Sequence, residues 1–188
     1  MHRPSSGSDG FSASAGKRLC GKMGGGAEGY NDDASSQWYE ACTSNGTYAY
    51  PYGNGYNPVA CNGSDAGKGA TVEVASMRQC HSTISDYSGA YDLSGNVWEW
   101  VDSCIGNTGY SDNCRIRGGG FVQAASDIAC AAINNGPRTP LPGEAGHALA
   151  RLQLRLPSRT RMGQRSHRPG ARVSGERPCY HSMVMWVI

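Results

Sequence analysis

The chain has 188 residues, with 27 Gly, 10 Tyr, 4 Trp and 8 Cys and a formal net charge of +2, which leaves room for one loop-rich domain packed around aromatics. A mean hydropathy of −0.50 and the lack of a long apolar run exclude a transmembrane helix, and the polar stretch Met1 to Ser14 offers no signal-peptide core. The small net charge hides an asymmetry: residues 1 to 143 carry nine Lys or Arg against thirteen Asp or Glu, whereas 144 to 188 carry eight Arg, no Lys and two Glu.

In chain order, Lys22 to Asp32 is Gly-rich and acidic and reads as an exposed loop. Asp33 is expected to cap a short helical turn that carries Gln37, Trp38, Tyr39, Ala41 and Cys42, with the aromatics directed inward. Tyr48 to Tyr56 alternates aromatics with Gly, Pro and Asn, the composition of tight turns stacked over a core. Next come Tyr91-Asp92-Leu93-Ser94-Gly95-Asn96-Val97-Trp98-Glu99-Trp100, the loop Ile105 to Asn113, and Arg115-Ile116-Arg117-Gly118-Gly119-Gly120-Phe121. In the arginine-rich tail, Ala150 to Leu156 alternates as a half-buried strand would.

Eight cysteines without a C-x-x-C spacing point to an oxidising compartment and against a zinc ribbon or a thioredoxin-like centre. Of the 105 connectivities possible for eight cysteines, the nearest-neighbour set pairs Cys104 with Cys114, Cys61 with Cys80 and Cys20 with Cys42, leaving Cys130 without a partner. Scattered buried thiols are the alternative. The five histidines, His2, His81, His147, His167 and His181, form no recognisable triad. Neither Gly24-Gly25-Gly26 nor Gly118-Gly119-Gly120 follows a dinucleotide pattern. Asn45-Gly46-Thr47 and Asn62-Gly63-Ser64 match the N-glycosylation acceptor pattern.

The Tyr91 to Trp100 segment, followed by Arg115 to Phe121, resembles the formylglycine-generating enzyme family, also called sulfatase-modifying factors. Gly16-Lys17-Arg18-Leu19-Cys20 is similar to that family's G-K-R-L-P, and Tyr50-Pro51-Tyr52-Gly53-Asn54 to its Y-P-W-G. The resemblance implies an α+β, C-type-lectin-like fold with little regular secondary structure. It implies a leader at 1–15, a family-like domain at 16–146 and an Arg-rich tail at 147–188. Lys22 to Asp32 then becomes an insertion, and both ends of the domain are expected to be incomplete. The family's opening strands have no counterpart, and His147-Ala148-Leu149 stands where its closing G-F-R strand is expected, so the tail reads as disordered or out of frame.

Two metal sites follow from the resemblance. The family's enzymes oxidise a substrate cysteine with dioxygen and a copper(I) ion held by two cysteines after the R-G-G run; here those positions read Gln123 and Ile128. Copper(I) favours soft thiolates, so no copper and no formylglycine-generating activity are expected. The family's structural calcium maps onto Asp92, Gly95, Val97 and Glu99, and a second site onto Asn62 and Gly63. Carboxylates and carbonyls are the hard oxygen ligands that calcium takes. Against this stands a simpler reading, in which Glu99 pairs with Arg115 or Arg117 and Asp92 caps a turn.

The resulting expectation is a non-catalytic binding or structural module, extracytoplasmic by its cysteines. Its ligand would be a protein or carbohydrate met by the loops at Lys22 to Asp32 and Ile105 to Asn113. The alternatives are a copper-dependent oxidoreductase, which generates formylglycine or oxidises thiols, and nucleic-acid binding through the arginine tail.

Overall fold

The computed structural model describes residues 19–106, 112–137 and 182–183. Helix α1 spans Gln37–Thr43, and Ser36 caps it by accepting a hydrogen bond from the Tyr39 N–H at 3.2 Å. Asp33, the cap expected from the sequence, instead opens a 3-10 turn at Asp33–Ser35 and turns its carboxylate to Arg117. A carboxylate beside a buried guanidinium gains more there than it would on a backbone amide. Trp38 and Cys42, one helical turn apart, form the fully buried face of α1. The helix ends where Ser44 and Asn45 enter the left-handed region with φ of 51° and 58°.

Strands β1 (Glu99–Ile105), β2 (Asn113–Arg117), β3 (Ile133–Pro137) and β4 (Ser182–Met183) form an antiparallel sheet in the order β3-β2-β1-β4. Two-residue periodicity along β1 divides the core. Val101 joins Trp38, Cys42, Leu93, Cys20 and Cys130 in one cluster, whereas Trp100 packs with Leu19, Cys114 and Ile116 in another. The register breaks between Trp100 and Cys104, as a bulge would cause. Arginines 151 to 177 of the tail and the alternating segment Ala150 to Leu156 lie outside the described residues, but Ser182–Met183 of that tail pairs with Glu99 and Trp100.

Between α1 and β1 the described chain has only the 3-10 turn Ser64–Ala66 and isolated bridges such as Asn62 with Gly95 and His81 with Tyr91. The expected turns at Tyr48 to Tyr56 are present, with Tyr50 stacked on Tyr52 at 5.5 Å and tilted against Tyr56 at 5.6 Å. Together with α1 and the sheet this is an α+β fold of low regular content. Among the described residues no helix is long and apolar enough to cross a membrane.

Disulfides join Cys61 to Cys80 and Cys104 to Cys114, as the nearest-neighbour set expects. The third joins Cys42 to Cys130, which are 88 residues apart. Cys20 is disulfide-bonded too, but not to Cys42. Nearest-neighbour pairing favours bonds that close surface loops, and Cys42 lies instead on the core face of α1, where it meets a distant part of the chain.

The loop at Lys22 to Asp32 is exposed over most of its length, as expected, with Glu28 buried and Tyr30 half-buried against the sheet. The Glu28 N–H donates to the Asp102 carbonyl at 2.9 Å, and Arg115 donates to the Tyr30 carbonyl and the Asn31 amide oxygen while stacking over the Tyr30 ring. Two arginines of β2 thus hold the base of the loop to the sheet, Arg115 through Tyr30 and Asn31, and Arg117 through Asp33. Residues 107–111 of the other proposed recognition loop lie outside the described residues.

Candidate functional site

The turn Ser94-Gly95-Asn96 is the hub of the irregular half. Asp92, Gly95 and Asn96 all have positive φ (59°, 72° and 67°), and the Asn96 N–H donates to the Asn62 carbonyl at 2.7 Å. A Cβ on Gly95 would sit 2.3 Å from that same carbonyl oxygen, so glycine is required by both conformation and space. The Gly95 N–H donates to the Gly118 carbonyl at 2.6 Å, which ties the turn to the Arg-Gly-Gly run.

Three buried polar side chains then hold the strand-free segment 70–75. Asn62 Nδ2 donates to the Ala70 carbonyl and to Asn96 Oδ1. Asn96 Oδ1 also accepts from the Val72 N–H while its Nδ2 donates to the Val72 carbonyl, and Asp92 Oδ2 accepts from the Ala75 N–H at 2.7 Å. Side-chain amides satisfy backbone groups here as a neighbouring strand would elsewhere.

The residues assigned to calcium from the sequence fall into two groups. Asn62 and Gly63 are brought against Gly95, and Asp92 and Glu99 are both buried, with the charge of Glu99 acting on Asp92. The Gly95 carbonyl accepts from the Val97 N–H, the Gly63 carbonyl accepts from the Ala66 N–H, and Glu99 Oε2 accepts from Trp38 Nε1 at 2.6 Å. In contrast, Asp92 Oδ1 and Asn62 Oδ1 are buried with no hydrogen-bond partner. Burial raises the Asp92 carboxyl to about 6, offset in part by the Ala75 amide and reinforced by Glu99. A buried, desolvated carboxylate oxygen and a buried amide oxygen are donors that a hard cation would suit. Among the described residues no three His, Cys, Asp or Glu side chains converge as a metal cluster, so a cation here would depend on carbonyl and amide oxygens.

The simpler reading of Glu99 and Asp92 is also answered by geometry. Arg117 goes to Asp33, with Glu28 at 3.8 Å, although it lies opposite Glu99 in the β1–β2 register. Burial also raises the Glu28 carboxyl, which Ser36 and Arg117 nearby offset only in part. Asp92 holds the amide of Ala75 rather than capping its own turn.

The two positions that the resemblance aligns with copper ligands both carry structural side chains. Gln123 Oε1 accepts from the Gly120 N–H at 2.9 Å, and its backbone carbonyl accepts from the Ser64 N–H at 2.9 Å. Ile128 is buried beneath two glycines: a Cβ on Gly63 would lie 2.8 Å from its Cδ1, and one on Gly119 would lie 2.7 Å from its Cγ2. Ser94 Oγ donates to the Ile128 carbonyl at 2.6 Å, and Cys130 is fully buried in its bond to Cys42. Beside this segment an open cleft of about 420 Å³ is lined by Ser64, Gly67, Gly69, Phe121 and Val122. Sequence reading missed the cleft, because its walls come from two loops far apart in the chain and neither carries a chemical signature.

Residues 16–151 match the family of the sulfatase-modifying factor enzyme 1-like domain. The chain belongs to that family. Among solved structures, one titled "Crystal Structure of CarF" is similar at 20% identity with a TM-score of 0.42, over 54% of this chain and 40% of that one. The chain thus spans less than half the length of that relative. No curated protein matches it.

Proposed function

We propose that this chain is a non-catalytic binding or structural module of the sulfatase-modifying factor family, extracytoplasmic, C-type-lectin-like in architecture and stabilised by calcium. One observation carries the reading: the copper-ligand positions hold Gln123, which closes a turn, and Ile128, which fills a core, while Cys130 is consumed by a disulfide. Copper(I) in a site of this kind needs thiolates, and a disulfide sulfur is not one. The disulfides Cys42–Cys130, Cys61–Cys80 and Cys104–Cys114 support residence in an oxidising compartment.

Calcium is supported by the partnerless oxygens of Asp92 and Asn62. Asp92, Gly95, Val97 and Glu99, with Asn62 and Gly63, are the residues proposed to hold it, and bound there it would neutralise a carboxylate that the fold otherwise buries at a cost. The ligand is proposed to be a protein or carbohydrate, met at the cleft beside Phe121 and Val122 or at the exposed tip of the Lys22 loop. The test is incubation of the oxidised full chain with copper(I), oxygen and a C-x-P-x-R peptide, with aldehyde formation followed by mass spectrometry. No conversion is expected; turnover would establish the oxidoreductase alternative.

A further inference from the structure

The two N-glycosylation motifs are chemically alike and structurally opposite. Asn45-Gly46-Thr47 follows α1, where Asn45 sits at φ 58° and all three residues are exposed. The turn is fixed by backbone bonds, from the Asn45 N–H to the Glu40 carbonyl and from the Thr47 N–H to the Thr43 carbonyl, both at 2.9 Å. The Asn45 side-chain amide and the Thr47 hydroxyl make no hydrogen bond among the described residues. Asn62 is 1% exposed, and its amide nitrogen is already committed to the Ala70 carbonyl and Asn96 Oδ1.

We infer that Asn45 is an N-glycan acceptor and that Asn62, in the folded chain, is not. Transfer forms a bond between Asn45 Nδ2 and C1 of an oligosaccharide, breaks the C1–O bond to a polyprenyl diphosphate carrier, and releases the amide proton with the diphosphate. At Asn45 the product projects into solvent from a turn whose own hydrogen bonds are untouched. At Asn62 the same bond would remove a hydrogen that holds the 70–75 segment and would force a sugar into the contact between Asn62, Gly95 and Asn96, so molecules modified there do not reach this fold. The glycan on Asn45 would also cover the open end of α1.

The inference rests on the extracytoplasmic reading. The full chain is therefore translated behind a secretory leader with eukaryotic microsomes, and the disulfide-bonded, translocated product is treated with N-glycosidase. The expected result is one glycan, lost in Thr47→Ala and kept in both Thr47→Ser and Ser64→Ala, each of which changes only an exposed hydroxyl-bearing side chain. A translocated, disulfide-bonded product without a glycan, or a glycan that survives Thr47→Ala, overturns it. Thiol labelling of the native protein in its source cell tests the compartment separately. Free thiols there would remove the extracytoplasmic reading while the microsome result still decides the acceptor.

Discussion

The sheet with α1 and the irregular segment between them are held by different kinds of force. Around β1 and β2 the stabilisation comes mainly from apolar burial, with Trp38, Leu93 and Val101 on one side and Trp100 and Ile116 on the other, joined by the buried guanidiniums of Arg115 and Arg117. From Tyr48 to Val97 the apolar contribution is thin, and the chain is shaped by Asn and Asp side chains bonded to backbone, one disulfide and a tyrosine stack. Burial of hydrocarbon does not respond to pH or to cations. A buried carboxylate with an unpartnered oxygen responds to both, and Asp92 places one in the irregular half.

The largest expected effect lies at the cross-link that ties α1 to the segment before β3 and so encloses the whole irregular segment. Replacing Cys42 and Cys130 together by Ala releases a loop of 88 residues and should cost about 4 to 5 kcal/mol in denaturant unfolding. Replacing Cys104 and Cys114, which close 10 residues within the sheet, should cost about 3 kcal/mol or less. Equal losses would mean that the length of chain enclosed does not set the difference between the two bonds.

The next effect sharpens the contrast in charge. The folded value of Asp92, about 6, stands above its ordinary 3.8, so its contribution is full below pH 4 and is lost as pH rises through about 6. In chelator, wild type should therefore lose about 2 kcal/mol relative to Asp92→Asn between pH 4 and pH 7.5, read from paired unfolding curves. Calcium at pH 7.5 should restore wild type and leave Asp92→Asn unmoved. Parallel pH curves for the two proteins would show that Asp92 is not the sensitive group.

A smaller effect concerns the strap. Asn96→Ala removes the bonds to Val72 and Asn62 and should cost about 1 to 3 kcal/mol, with limited proteolysis appearing first within 70–75. First cleavage within the sheet instead would place the weak region elsewhere.

The parts of this fold that were legible from sequence are those with chemically narrow requirements. Tyr48 to Tyr56, read as tight turns stacked over a core, folds that way, with Tyr50 stacked on Tyr52. Trp38 faces inward as its position in the turn suggested. What sequence could not show is which of several equivalent groups meet. Ser36 and Asp33 are both good helix caps, and only the position of Arg117 decides between them. Cys42 could close a short loop or cross the core, and the buried face of α1 selects the second. The Gly-rich loop is exposed as its composition suggests, but composition could not show that Arg115 and Arg117 hold its base from β2, across sequence separations of 84 and 85 residues.

The central claim is that the segment after Arg117-Gly118-Gly119 has become structural. The most direct measurement is an anaerobic copper(I) titration of the oxidised full chain against a chromophoric chelator, repeated on the double variant Cys42→Ala, Cys130→Ala, which leaves no unpaired thiol at this bond. The account predicts that neither protein withdraws copper from the chelator. Stoichiometric uptake by wild type that disappears in the double variant would contradict it, because it would show these sulfurs to be available as thiolate ligands.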